Sequence, residues 1–184
     1  MQRHSLLSLI NSYAPTPHDE AAMRLRLLAF VRDNATCFER SFAPGHITGS
    51  AWIVNPSRTQ VLLTHHRKLD RWFQPGGHSD GDPDTRAVAW REAREETGLD
   101  GVRLASEAIF DIYIHSIPAR KSEPEHFHYD VRFLFEANDA IPFVVSEESN
   151  DLAWVALEEV AKLNNERSMQ RMVEKTLRLF PRKS

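Results

Sequence analysis

Cysteine is nearly missing from this chain. Cys37 stands alone among 184 residues, so no intramolecular disulfide can form, which suits a reducing compartment. A long apolar run is missing as well. The stretch Leu6-Leu7-Ser8-Leu9-Ile10 falls far short of the ~20 residues a bilayer-spanning helix needs, and it lacks the small-residue cleavage pattern of a secretory leader. The expectation is a cytoplasmic protein with no membrane attachment. Nor is there an excess of basic charge. With 23 Lys and Arg against 26 Asp and Glu, the formal net charge is -3, which argues against a broad electrostatic grip on nucleic acid. Internal repeats and low-complexity stretches are absent too. What remains, 41% hydrophobic and 27% charged residues, is the composition of an ordinary globular protein with length enough for one well-buried core.

The pattern along the chain suggests a helical extension followed by a mixed domain. Residues 1–45 read as two helices broken near Ala14-Pro15-Thr16-Pro17, the second beginning around Asp19 and fading at Asp33-Asn34. Ile47 to Val54 and Gln60 to His65 are β-prone and joined by a turn-rich Asn55 to Thr59, a hairpin pattern. Pro75 to Gly81 reads as a loop. Ala108 to Ile117 and His126 to Glu136 read as further strands. In the second, Phe127, Tyr129, Val131, Phe133 and Phe135 alternate with His126, His128, Asp130 and Arg132. Asp151 to Val155 is a short strand, and Glu166 to Phe180 a helix that should pack through Met169, Met172, Val173 and Leu177. Helices before, within and after mostly antiparallel strands predict an α/β (α+β) fold with a mixed sheet covered on both faces. The expected domains are 1–45, packed on a core, and 46–184.

The segment richest in chemistry is Asp82 to Leu99. Asp82 suits an N-cap, Pro83 the first helical position and Gly98 the exit, so Asp84 to Thr97 should form about four helical turns. Glu92, Glu95 and Glu96 then share one side, flanked by Val88, Ala89 and Ala93, opposite Arg86, Trp90 and Arg94. Three like charges at that spacing repel and call for a compensating cation. A hard divalent ion with oxygen ligands supplies one reading. The plainer reading is a charged surface helix with Arg91, Arg94 and Arg103 as neutralising partners.

Context favours the first. Gly77, followed at fixed spacing by Arg91-Glu92-Ala93-Arg94-Glu95-Glu96-Thr97-Gly98-Leu99, resembles the signature of the Nudix hydrolases, and the resemblance runs from about Ile47 to Leu157. One position departs: the signature's first glutamate falls on Pro83, and Asp82 or Asp84 would take over its pairing with Arg91. Ala93 is also small for its slot. The resemblance implies an α/β/α sandwich and a Mg²⁺- or Mn²⁺-dependent pyrophosphohydrolase acting on a nucleotide-like diphosphate. It implies metal ligands at Glu92, Glu95 and Glu96 with the carbonyl of Gly76, and an orienting Arg91. It also implies an extra ligand or general base at Glu148, six residues before Trp154, with Glu147 as the fallback.

Other residues could meet substrate. His65, His66, Arg67 and Lys68 precede the signature and could contact phosphates, or form an ordinary polar loop. His78 adjoins Gly77. His126, His128 and Asp130 share a strand face, a chelating pattern in which a zinc site would need further ligands that the sequence does not identify. This face therefore reads as pocket lining, with His128 a substrate contact, or as packing under a helix. Trp52, Trp72 and Phe73 could stack on a base, with core packing the safer reading. Two rival functions stand beside hydrolysis. An isopentenyl diphosphate isomerase would carry Cys-Gly-His where this chain has Gly76-Gly77-His78, and a non-catalytic nucleotide-binding module would have lost signature glutamates that are all present. Among substrates, a nucleotide sugar such as ADP-ribose, a (d)NTP, a dinucleoside polyphosphate and a capped RNA end stay open, with a weak lean to a small nucleoside diphosphate derivative. The N-terminal helices would shape the pocket or a homodimer contact.

Overall fold

In the computed structural model, which describes residues 2–15, 18–120, 124–147 and 149–181, two N-terminal helices form as expected, α1 (His4–Ser12) and α2 (His18–Asp33). Each is closed by the other. Arg24 of α2 donates to the carbonyls of Ile10 and Asn11 at 2.8 and 3.0 Å, and Arg3 donates to those of Val31 and Arg32 at 2.9 and 2.6 Å. The last carbonyls of a helix have no intrahelical partner and lie at its negative end, so a guanidinium satisfies both needs. Part of the predicted break, Thr16-Pro17, lies outside the described residues.

The remaining elements are β1 (Gly45–Val54), β2 (Gln60–His66), β3 (Arg71–Phe73), β4 (Gly76–His78), α3 (Thr85–Thr97), β5 (Arg103–Ile117), β6 (His126–Glu136) and β7 (Ser149–Ala156). After these come a single 3₁₀ turn (Leu157–Glu159), α4 (Val160–Leu163) and α5 (Arg167–Leu179). The strand order is β3-β2-β1-β6-β5, with β4 paired to β1 and β7 to β2. The paired registers of β1 with β2 and β4, and of β2 with β3 and β7, are antiparallel. Between β1 and β6 the Phe127 amide donates to Pro44 and the Ala137 amide to Val54. Both chains advance together there, so that pair is parallel and the sheet is mixed, as predicted.

The chain divides into two compact units. The first holds Met1–Ser50, Gly76–Ala89 and Ser106–Phe133. Here the alternation of β6 does what its sequence dictates. Two of its odd-numbered residues meet α2: the rings of Phe30 and Tyr129 stack with centroids 3.8 Å apart, and the Arg26 guanidinium lies 4.2 Å from the Phe127 ring centre. The buried Tyr13 hydroxyl donates to Glu20. The second unit holds Ala51–Pro75, Trp90–Ala105 and Leu134–Ser184. Here β2 pairs with β7 from Gln60↔Ala156 to His66↔Ser149, with an irregularity between His65 and His66. Trp52 is fully buried, its indole N–H donating to Thr176 of α5 at 2.9 Å. Core packing, and not base stacking, is its role.

Several boundaries differ from the sequence reading. β5 begins at Arg103, five residues before the predicted start, and β7 extends to Ser149 and Ala156. The Pro75 to Gly81 loop contains β4, and β3 also forms, two three-residue strands too short to show any alternation. Helix α5 buries Met169 and Met172 as predicted, but Leu177 is 41% exposed. The buried stripe turns instead through Ser168, Arg171, Lys175 and Thr176, because Thr176 is the residue that meets Trp52.

Candidate functional site

Helix α3 is set by its two ends. Asp84 is the N-cap, its Oδ1 accepting from the Arg86 and Ala87 amides at 3.2 Å each. Asp82, predicted to cap, sits two residues earlier and accepts from the Asp84 amide at 2.9 Å; Pro83 therefore precedes the helix. At the other end Gly98 takes φ +66°, the left-handed exit that a Cβ would strain, and its amide donates to the Arg94 carbonyl at 2.8 Å. Along the helix Val88, Ala89 and Ala93 are fully buried, as expected of the side that flanks the glutamates.

Of the three glutamates, Glu95 is exposed while Glu92 and Glu96 are half-buried. Arg91 donates to Glu92 at 3.0 Å. The other arginines that could have neutralised this cluster are engaged elsewhere. Arg94 donates to Asp100 at 2.6 Å and lies 4.7 Å from the Trp90 ring centre, while Arg103 pairs with Glu136. An all-oxygen donor set on one side of a helix fits a hard divalent cation. Among the described residues, the group of three that converges as a candidate metal-binding group is His46, His78 and His128, not these glutamates. Glu148 lies outside the described residues, and Glu147 is exposed.

The strand entering the signature is fixed by close approach. Gly76, Gly77 and His78 pair with Ser50, Gly49 and Thr48. A Cβ on Gly76 would lie 2.7 Å from the Ser50 Cβ, so only glycine fits. In the second unit the polar run after β2 divides. His65 pairs with Asp70 at 3.0 Å and stacks on Trp72, whereas Arg67 and Lys68 are exposed. Arg67 donates to the Ser149 carbonyl at 3.3 Å, and half-buried His66 accepts at Nδ1 from the Lys68 amide at 3.2 Å.

The even-numbered face of β6 belongs to a polar surface within the first unit. Asp130 accepts from Ser50 at 2.7 Å, Thr48 at 3.0 Å and Arg132 at 2.7 Å, and Arg132 reaches Asp111 at 3.3 Å. Beside this network lie His46, His78 and His128, whose ring nitrogens, one from each, all fall within 4.8 Å of one another. His46 is the member that sequence reasoning missed. It sits at the start of β1, outside the β6 alternation, and only the pairing of β1 with β4 and β6 brings it in. Burial, then the neighbouring imidazoles of His78 and His126, pushes the His46 pKa down to about 4. Burial followed by His46 and His78 pushes that of His128 down to about 2. Both rings are neutral at physiological pH, so neither meets an anion as a cation.

A family model for the NUDIX domain matches residues 46–176. In sequence the chain is 31% identical, over 113 residues, to proteins from two Mycobacterium tuberculosis strains named "Putative 8-oxo-dGTP diphosphatase 3". The match covers 59% of this chain and 50% of each relative, so the chain spans about half the length of the curated relatives it matches. In structure it is similar to a Caenorhabditis elegans Ap4A hydrolase solved as a binary complex. That likeness has a TM-score of 0.59 and 18% identity, over 72% of this chain and 96% of that one. It is also similar to a NUDIX-family hydrolase from Clostridium perfringens, with a TM-score of 0.53 and 26% identity over 73% and 97% of the two chains.

Proposed function

Because this chain belongs to the Nudix family, we propose that it is a Mg²⁺- or Mn²⁺-dependent pyrophosphohydrolase that splits the diphosphate of a small nucleotide derivative into two phosphorylated fragments. The observation that carries this reading is the state of the glutamates on α3. Of the arginines a merely structural charged helix would use, Arg91 pairs with Glu92, while Arg94 and Arg103 are held by Asp100 and Glu136. Three carboxylates on one side of a helix form an all-oxygen donor set, which suits a hard divalent cation.

Glu92, Glu95 and Glu96 are the residues that would hold the metal. When bound, such an ion screens phosphate oxygens and acidifies a water. The protein's own part is positional. Arg91 restrains Glu92, and a well-capped helix fixes the spacing of all three carboxylates. Arg67 and Lys68, exposed at the end of β2, offer cationic hydrogen-bond donors to substrate phosphates, with His66 beside them. In the reaction a water oxygen bonds to one phosphorus, the bridging P–O bond breaks, and the bridging oxygen leaves with the other fragment. The water's proton passes to a carboxylate, a role assigned to Glu148 by its place in the sequence.

The substrate class is a nucleoside diphosphate linked to a further group, or a (d)NTP. The name carried by the mycobacterial relatives places oxidised dGTP among the compounds to test. The test is a panel of ADP-ribose, dGTP, 8-oxo-dGTP and a dinucleoside polyphosphate with Mg²⁺, products separated by chromatography. At least one compound should be cleaved at its diphosphate by the wild type and not by Glu96→Gln. Equal turnover by both proteins would remove the assigned site.

A further inference from the structure

The signature glutamates do not account for the histidines of the first unit. His46 on β1, His78 on β4 and His128 on β6 come from three separate strands, and one ring nitrogen of each lies within 4.8 Å of the other two. Ring centroids are 5.0 Å apart for His46–His78, 4.7 Å for His46–His128 and 5.1 Å for His78–His128. His46 is only 2% exposed, and neither of its ring nitrogens has a hydrogen-bond partner among the described residues. A buried imidazole with both nitrogens unsatisfied is unusual, because buried polar atoms nearly always find a partner.

From this geometry we propose that His46, His78 and His128 bind a borderline divalent transition metal of the Zn²⁺ class, at a site separate in residues and in chemistry from the glutamates of α3. Nitrogens at ~2.0–2.1 Å from a tetrahedral ion stand about 3.3 Å apart. Binding would draw the three nitrogens in from the observed upper limit of 4.8 Å. The donor set consists of neutral nitrogens alone, since the nearby carboxylate of Asp130 is bonded to Thr48, Ser50 and Arg132. Three imidazoles suit Zn²⁺, Cu²⁺, Ni²⁺ or Co²⁺ and hold Mg²⁺ poorly, which prefers oxygen. Three protein ligands leave a fourth position for water or an anion oxygen. His126, whose ring lies 5.2 Å from that of His128 and whose Nδ1 faces the Pro124 carbonyl at 2.9 Å, is the imidazole placed to assist. A bound ion would cross-link β1, β4 and β6, fixing the three-residue strand that carries Gly76 and Gly77.

The experiment uses the full chain stripped with a chelator and dialysed. Zn²⁺ is titrated by calorimetry, and Co²⁺ by its visible absorption, which reports tetrahedral nitrogen ligation. The expected result is one equivalent of Zn²⁺ bound at least 100-fold more tightly than Mg²⁺ at the same site. His46→Ala, His78→Ala and His128→Ala should each weaken it tenfold or more, and the double variant Glu92→Gln/Glu96→Gln should keep it. At a free Zn²⁺ concentration 100 times the dissociation constant, the folded-to-unfolded ratio of the wild type should rise about 100-fold. Circular dichroism of the metal-free variants checks that they fold. If one of them does not, His46→Gln, which removes the ligand while keeping a polar side chain, takes its place. Undiminished Zn²⁺ binding by folded histidine variants, loss of binding in the glutamate double variant, or no Zn²⁺ preference over Mg²⁺ would each overturn the proposal.

Discussion

Arg132→Met should be among the most destabilising single substitutions in the first unit. The guanidinium is 3% exposed and faces Asp130 at 2.7 Å and Asp111 at 3.3 Å, which are 4% and 0% exposed. Methionine keeps much of the side chain's length and apolar volume, so the packing change is small and the electrostatic loss dominates. Removing one member of a buried ion pair costs about 3–5 kcal/mol, because the remaining charge stays in a poor solvent. Against a total stability of about 5–15 kcal/mol, that is a large fraction of what holds the domain folded. Asp130→Asn supplies the contrast. Its amide oxygen can still accept from Ser50 and Thr48, but its NH2 cannot accept from Arg132, which keeps Asp111 as counter-charge; the loss is that one charged hydrogen bond, about 1.5–3 kcal/mol. Urea unfolding followed by tryptophan fluorescence in metal-free buffer measures both, compared at equal m-values. If Arg132→Met unfolds at the wild-type midpoint, or if Asp130→Asn costs more than Arg132→Met, the reasoning from buried charge is refuted.

Further outcomes follow from individual contacts. Glu96→Gln, which removes one of the three carboxylates proposed to hold the metal, should lower turnover by roughly 10²-fold or more; unchanged turnover would take Glu96 out of the site. Gly76→Ala should destabilise the pairing of β4 with β1, because its Cβ would press on Ser50, and hydrogen exchange at the Ser50 and Gly76 amides should rise. Thr176→Val should cost about 1–2 kcal/mol by removing the acceptor of the buried Trp52 indole, visible as a lower urea midpoint. For pH, hydrogen bonds from Arg58 and then Arg103 hold the Glu136 carboxyl below its usual range. A folded pKa below the unfolded one gives stability that is complete above the ordinary carboxylate pKa of ~4.3 and is lost as pH falls through the folded value. Glu136→Gln should therefore be less stable than wild type by about 1 kcal/mol at neutral pH, a modest figure because Arg103 is largely exposed. The gap should close in acid, and a gap independent of pH would contradict the assignment.

Much of the fold could be read from local pattern. The alternation of β6, the hairpin around Asn55 and the glutamate spacing of α3 all follow from periods of 2 and 3.6, which need no knowledge of distant residues. The turn at Asn55 is local too, its side-chain oxygen accepting from the Thr59 and Gln60 amides at 2.9 and 3.1 Å. What escaped the sequence depends on tertiary partners. β4 is Gly-Gly-His, a sequence with little strand preference, and it becomes a strand only because β1 presents a free register at Thr48 to Ser50. Leu177 fits the apolar stripe of α5 on a wheel, yet Trp52 fixes the helix rotation through Thr176 and turns Leu177 outward. The shift of the cap from Asp82 to Asp84 is a competition between two acids on either side of Pro83, decided by which side chain reaches two helical amides.

The polar side of β6 shows why the same periodicity can mean two different things. A strand buried on both faces must satisfy every polar side chain it carries, and the lower part of this face does so internally. Asp130 and Arg132 gather Thr48, Ser50 and Asp111 into a set in which each charge meets an opposite one or a hydroxyl. Two residues along the strand, the same face carries His128, which meets the imidazoles of His46 and His78. Sequence alone treats His128 and Asp130 alike, as polar residues on one stripe. Burial separates them, because a carboxylate answered by three donors is a finished structural element. An imidazole cluster whose central ring, His46, has no hydrogen-bond partner among the described residues is what the proposed metal ion would complete.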